Sequence, residues 1–301
     1  MIPQAAPVTE SAASSDWPQY LQLTKPRLTS MALATALLGY YQGSSGPFDF
    51  TLLFYTLIAL AFIGAGANAL NQVLEKDVDA KMKRTENRPL PSGRLSEKKA
   101  LVFGMIMTVL GSLCLFAFVN TLTAVLAVAT LFIYVLIYTP LKRKTPLNTF
   151  IGTVPGALPV VTGWTAATGS LGLEALTLFL ILVFWQLPHF MAIAWFYKAD
   201  YLKSGLKIMT LGDREGVRTG WQIVIGCLVL VPVTLAPAAL GMTGHLYFYA
   251  ALLCGLGFLG FAFYLAWYRM AHARSFVTAS IYYLLLLVVT MMVDKAQVTG
   301  L

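Results

Sequence analysis

The sequence predicts an all-α polytopic membrane protein with about nine transmembrane helices. Three observations carry that prediction. Hydrophobic residues make up 58% of the 301, charged residues only 11%, and mean hydropathy is +0.72, whereas a soluble domain carries about 25% charged residues. Charge-free runs are long enough to cross a bilayer, which takes about 20 apolar residues. The basic residues fall in alternate loops, as they do in a chain that weaves through a membrane.

The elements follow in order. Between Arg27 and Glu75 only Asp49 is charged, which splits that stretch into spans at 28–46 and 51–74. Residues 100–141 carry no Asp, Glu, Lys or Arg, and these 42 residues hold two spans, 99–119 and 121–139. Residues 145–173 and 175–197, divided at Glu174, give spans at 149–168 and 174–196. The first of these holds Pro155, Pro159, Gly152, Gly156 and Gly163. A membrane helix tolerates such breakers where neighbours satisfy the freed backbone groups, and this span is needed to keep the alternation of charged loops. Residues 219–268 give 217–240 and 245–268, and 275–293 makes the ninth.

On this threading 20 of the 21 Lys and Arg residues lie on one side, Lys295 being the exception. The positive-inside rule puts that side in the cytoplasm, with the amino terminus inside and the carboxyl terminus outside. No Arg-rich amphipathic leader is visible, so a bacterial inner membrane is the expected location. The net charge of +8 is therefore a topology signal first. Basic residues dispersed among short loops, with no nucleic-acid motif, argue against a nucleic-acid partner. Residues 1–20, polar and containing Ala, Ser and Pro, read as a disordered tail ahead of a single intramembrane domain, 21–301. Cys114, Cys227 and Cys254 fall mid-span without CxxC pairing and read as buried apolar residues.

Residues 71–94 break the pattern, with four carboxylates and six Lys or Arg in an otherwise apolar chain. Asn71, Glu75 and Asp79 are spaced four apart, so on a helix they advance about 40° per step and share one face. Asn68 falls in the same sector and Asp77 elsewhere. Oxygen donors of this kind suit Mg²⁺, which takes one or two carboxylates plus substrate phosphate oxygens. With Arg84 and Arg88 just beyond and an apolar span behind, the pattern suggests an enzyme that handles a lipid diphosphate at a membrane surface. The plainer alternative is a solvated loop in which Glu75 and Asp79 balance Lys76, Lys81 and Lys83. Asn71 and Asn68 weigh against it, because polar groups in the last turns of an apolar helix need partners.

The loop after the sixth span carries Asp200, Lys203, Lys207 and Asp213. It lies about 125 residues beyond the first polar loop, a spacing that suggests a weak internal repeat. His189, within FWQLPHFMAIAWFY, is the one histidine near the inner half of the membrane. It is either a buried histidine bonded to a backbone carbonyl or a contact to a large substrate, as proton carrier or iron ligand. His245 and His272 fall near the surfaces.

Several stretches together resemble a known family. They are TKPR (24–27), the run from Asn71 through Glu75, Asp77 and Asp79 to RTENRPLP (84–91), YTPLKRKTPLN (138–148), Gly163-Trp164, and WQLPHF (185–190) followed by Asp200-Tyr201. They resemble the heme O synthase (protoheme IX farnesyltransferase) branch of the UbiA-type intramembrane prenyltransferases, from about residue 20 to the last span. The superfamily motif NxxxDxxxD stands here as Asn71, Glu75, Asp79, with Glu in the first acidic place. The second DxxxD-like motif of most UbiA-type enzymes is reduced to Asp200. The loop from Gly205 to Thr210 departs from the G-x-PMLP that the branch carries after DY.

The resemblance implies helices enclosing a central cavity open to lipid, capped by cytoplasmic loops. It implies transfer of the farnesyl group of farnesyl diphosphate to a vinyl group of heme B with addition of water, giving heme O and diphosphate for respiratory oxidase assembly. Asn71, Glu75 and Asp79 would hold Mg²⁺, and Asp200 would join them in the catalytic set. Arg84, Arg88, Lys142, Arg143 and Lys203 would neutralise the departing diphosphate. Tyr138 or Trp164 would face the allylic cation, and His189 would contact the heme. Heme B is then a substrate and not a cofactor. The expected partners are farnesyl diphosphate, heme B and the bilayer, with a heme A synthase or terminal oxidase assembly proteins downstream. Two other readings stand beside this one. A prenyltransferase for an aromatic acid, a quinone precursor, would carry a second carboxylate-rich motif. A membrane transporter would carry its carboxylates near the bilayer midplane, where this chain has none.

Overall fold

A computed structural model describes residues 16–295, and over them the chain is helical, with one isolated β-bridge between Thr243 and Lys295. A short helix, α1 (Trp17–Leu23), leads into α2 (Pro26–Gly43), α3 (Phe50–Asp79) and α4 (Glu97–Phe118). Next, α5 (Thr121–Phe132) runs through a π-helical turn, Ile133–Tyr138, into α6 (Thr139–Lys144) as one continuous rod. Then follow α7 (Asn148–Thr168), α8 (Leu173–Phe196), the short α9 (Lys198–Ser204), α10 (Val217–Ala239), α11 (His245–Trp267) and α12 (Ala273–Val293). The predicted tail falls largely on residues 1–15, which lie outside the described residues; helix α1 already begins at Trp17.

Eight helices among the described residues are long and apolar enough to cross a membrane. The protein is a multi-pass membrane protein. The first expected span, α2, is not among these eight; it has 18 residues and carries Arg27, Gln42 and several hydroxyls. It nevertheless runs between the two ends of the bundle. Lys25, before its first turn, is bonded to Asn71, whereas the carbonyl of Ser44, after its last, accepts from Lys295 near the other end of the chain.

Local signals set the boundaries. Asp49, the lone charge of its stretch, caps α3 by accepting from the N–H of Leu52 at 2.8 Å. Ser96 and Asn120 cap α4 and α5 in the same way. Helix α7 stays helical through Pro155 and Pro159, buried against α2 and α8. Backbones approach closely where α2 crosses α7. A Cβ on Gly163 would stand 1.8 Å from the carbonyl oxygen of Ala36, and one on Gly39 would stand 1.9 Å from that of Val160. Small residues at such crossings are how membrane helices pack without a hydrophobic driving force between them.

The largest core joins α7, α8, α10, α11 and α12, and a smaller one joins α3, α4 and α5. Helix α3 has 30 residues, so at 1.5 Å per residue it is about 45 Å long, against about 30 Å of hydrocarbon. Its last turns therefore reach beyond the apolar slab. They carry Asn71, Glu75 and Asp79 into the polar end of the bundle.

Candidate active site

The helical phase of α3 places Asn71, Glu75 and Asp79 on one face, and all three are buried. They line a cavity of about 430 Å³ at the basic end of the bundle. Each is engaged by a cation from a different segment. Lys25 Nζ donates to Asn71 Oδ1 at 2.9 Å. Lys142 Nζ, at the end of α6, donates to Glu75 Oε1 at 2.8 Å. Arg88 Nη1, from the segment after α3, donates to Asp79 Oδ2 at 2.6 Å. Desolvation, with the positive fields of Arg88 and Lys142, lowers the Lys25 ammonium to about 7, even though Glu75 and Asp79 pull the other way.

The amide of Asn71 has a fixed orientation. The hydroxyl of Thr139 donates its one proton to the carbonyl of Tyr134 at 2.8 Å. It can therefore only accept from Asn71, and Asn71 Nδ2 lies 3.0 Å away. Asn71 must turn its Oδ1 towards the cavity. The π-helical turn makes this possible, because the backbone N–H of Thr139 also bonds to Tyr134 O, five residues back. Such turns within α-helices are rare and frequent at functional sites. The same turn brings Tyr134 and Tyr138 into the cavity wall, their rings stacked with centroids 5.9 Å apart. Lys142 Nζ lies 4.5 Å from the Tyr138 ring centroid. Gly152 of α7 makes room for that ring, since a Cβ there would meet it at 2.5 Å.

The opposite wall is apolar. Phe190, Ile193 and Ala194 of α8 line it, with Tyr201 of α9 and Leu206 and Ile208 beyond. Arg84 enters from the segment after α3, its guanidinium carbon 5.4 Å from the ring centroid of Tyr197 at the end of α8. The set has an anionic-ligand character. Four lining cations, Lys25, Arg84, Arg88 and Lys142, face two carboxylates, Glu75 and Asp79.

Asn71, Glu75, Asp79, Arg84, Arg88, Lys142 and Tyr138 are thus brought together as the sequence predicts. Six other candidates do not line this cavity. Arg143 is exposed and turned away, its Nη2 bonded to the carbonyl of Leu74 at 3.2 Å. Asp200 and Lys203 sit on α9 but do not line the cavity, because it is Tyr201 whose position on that turn faces inward. His189 stands about a quarter turn from the lining face of α8. It is buried against α12, its Nδ1 2.6 Å from Ser280 Oγ and its ring stacked on Trp185 at 4.8 Å. Trp164 packs against the large core instead of the cavity. Asn68 shares the sector of Asn71 but serves the fold, donating to Thr24 O at 3.1 Å and Thr29 Oγ1 at 3.2 Å.

Lys25, Tyr134 and Thr139 carry no role in the sequence reading. Lys25 is signalled only as part of TKPR, one residue before a helix-opening proline. Nothing in the sequence marks the π-turn that sets the other two.

Among the described residues no three His, Cys, Asp or Glu side chains gather at a metal-binding distance. The donor set is two carboxylates and an amide, all oxygen and all on one helix face. That suits a hard divalent ion that draws its remaining ligands from a phosphate.

Comparisons with known proteins bear on the family and the fold. The UbiA prenyltransferase family matches residues 32–292. A protoheme IX farnesyltransferase of Solibacter usitatus is 42% identical over 286 residues, covering 92% of this chain and 98% of its own. One of Koribacter versatilis is 38% identical over 305 residues, covering 98% of both. Among solved structures, one of digeranylgeranylglyceryl phosphate synthase superposes with a TM-score of 0.78 at 18% identity, covering 93% of this chain and 98% of that one. A UbiA homologue from Archaeoglobus fulgidus bound to GPP and Mg²⁺ superposes with a TM-score of 0.62 at 14% identity, covering 91% and 99%.

Proposed function

The chain belongs to the UbiA prenyltransferase family, and from that premise we propose that it transfers the farnesyl group of farnesyl diphosphate to a vinyl group of heme B. Water is added in the same reaction, and heme O and diphosphate leave. The reading rests on the relatives, which are protoheme IX farnesyltransferases over nearly the whole chain. One observation carries the chemistry: three oxygen donors on one helix face, each within hydrogen-bond reach of a separate cation, beside an apolar wall.

Asn71, Glu75 and Asp79 would hold Mg²⁺, which when bound supplies positive charge to the diphosphate oxygens and makes diphosphate a better leaving group. Lys25, Arg88 and Lys142 then turn their donors from the triad to the diphosphate. Charge-assisted bonds to a group whose negative charge grows as it leaves favour the transition state over the ground state. The C1–O bond breaks with its electron pair going to diphosphate. The allylic cation left behind lies against Tyr134 and Tyr138, whose ring faces attract positive charge. The vinyl π electrons form the new carbon–carbon bond to C1. The cation thereby moved to the acceptor is captured by water, which loses a proton to solvent. The apolar wall of α8 receives the flat acceptor and keeps bulk water from the first cation. The basic end of the bundle faces the cytoplasm of a bacterial inner membrane, in keeping with the loop charges.

The test is a heme extract from cells expressing the wild type or Asp79→Asn, separated by chromatography with mass detection. A hydrated, farnesylated heme in the wild type alone supports the reading. Unchanged heme B beside a prenylated aromatic acid would overturn the choice of acceptor. No prenylated product from a well-folded preparation would overturn the reaction itself.

A further inference from the structure

We propose that Arg84 binds a carboxylate of the acceptor, not the diphosphate, and so fixes which edge of the acceptor enters the cavity. The inference rests on the acceptor being a porphyrin with carboxylate side chains.

The lining cations divide into two sets. Lys25, Lys142 and Arg88 are each bonded to one member of the Asn71, Glu75, Asp79 triad, at 2.9, 2.8 and 2.6 Å. They share the wall on which a metal diphosphate would lie. Arg84 is the exception. Among the described residues it makes no ion pair, and its neighbour is the ring of Tyr197, at the end of α8. It therefore lies towards the aromatic and aliphatic wall that α8 contributes, at the exposed mouth of the cavity.

The chemistry of the acceptor matches that placement. Heme B is a flat apolar ring with two propionates on one edge and its vinyl groups away from them. Carboxylates resist desolvation, so they stay at the polar mouth while the ring enters against Phe190, Ile193 and Ala194. A guanidinium is the side chain suited to hold a carboxylate by a planar two-bond contact. Lying over the Tyr197 ring and unpaired with any carboxylate among the described residues, Arg84 keeps its N–H groups available for that contact. With the propionate edge held at the mouth, the vinyl edge points inward to Tyr134, Tyr138 and the prenyl C1. Arg84 would thus be a specificity determinant, separating porphyrin carboxylates from neutral or singly charged acceptors.

The experiment compares heme B with its dimethyl ester as acceptors, using farnesyl diphosphate and purified full-length wild type, Arg84→Gln and Arg84→Lys. Esterification is expected to raise the acceptor KM of the wild type about tenfold, the loss of one charge-assisted contact. Arg84→Gln is expected to raise the KM for heme B by the same factor. It should leave the ester's KM and the farnesyl diphosphate KM within about twofold, and Arg84→Lys should recover part of the loss. A raised farnesyl diphosphate KM in Arg84→Gln, or equal losses with both acceptors, would overturn the proposal and leave the reaction standing. Failure of the wild type to farnesylate either porphyrin would overturn both.

Discussion

The hydroxyl of Thr139 accepts the amide of Asn71 at 3.0 Å and has no freedom to do otherwise, since its proton is committed to Tyr134 O at 2.8 Å. One hydroxyl on α6, with the Lys25 ammonium on the other side, therefore fixes which atom of Asn71 on α3 faces the cavity. Thr139→Val removes that constraint and leaves the backbone bond from residue 139 to Tyr134 O intact. The expected outcome is about a tenfold rise in the Mg²⁺ concentration giving half-maximal activity, the usual cost of losing a group that orients a metal ligand. The thermal midpoint should barely move, and Thr139→Ser should restore the wild-type value. A metal titration of activity beside a thermal melt checks it.

Glu75 and Lys142 form a largely enclosed pair, with side chains 9% and 15% exposed. Removing one partner strands the other charge, at about 3 kcal/mol for a buried pair. Lys142→Met and Glu75→Gln should each lower the thermal midpoint, and the double variant should melt above both single variants. Activity should be lost in all three. A double-mutant cycle of melting midpoints in one detergent measures the coupling. Additive losses would mean the pair is solvent-screened.

The α2–α7 crossing leaves no room for a methyl group. Gly163→Ala places a Cβ against the carbonyl of Ala36, a backbone atom that cannot rotate aside. About 1–3 kcal/mol of destabilisation is expected from overpacking, read as a lower midpoint and faster proteolysis. Gly257→Ala on α11 meets nothing within 4 Å and serves as the matched control, with no loss expected.

Asp213 sits at the start of α10, where Oδ1 accepts from the N–H of Gly216 at 3.0 Å and Oδ2 from that of Thr219 at 2.7 Å. Burial raises its pKa, but the N–H groups of Thr219, Gly216 and Glu215 outweigh it and hold the carboxyl below the ordinary range. A carboxylate held low in the folded state stabilises above its unfolded pKa of about 3.9. That contribution fades as pH falls through the folded value. The wild type should melt above Asp213→Asn at pH 7, and the gap should narrow as the pH is lowered from about 5 to 3. A gap independent of pH would place the effect elsewhere.

The scaffold was legible because charge is scarce. Each break in the apolar runs, at Asp49, Glu174 or the basic loops, marks a helix end, and Asp49 proves to be a cap. The shared face of Asn71, Glu75 and Asp79 was legible because four-residue spacing on one helix depends on nothing else. Residues that reach the cavity from other segments were harder. Arg143 and Lys142 are neighbours, yet only Lys142 turns inward, and Lys203 and Tyr201 divide the same way. Which neighbour turns in depends on helix phase, and composition does not report phase. The surroundings of His189 were illegible for a related reason: its Nδ1 partner, Ser280, lies on a distant helix that sequence spacing does not bring near.

The π-turn at Ile133–Tyr138 makes the site depend on chain length as well as on side chains. Such a turn accommodates one residue beyond the regular helix. A deletion among its six residues would be absorbed as plain α-helix, with the residues beyond it held close to their places. A deletion in the regular helix of α5 has no such slack, and everything after it would rotate by about 100° and retract by about 1.5 Å. Lys142 would then swing away from Glu75 and Thr139 away from Asn71, with every lining side chain still encoded. Substitution scanning cannot detect such a requirement, whereas a single-residue deletion series along α5 and α6 would map it directly.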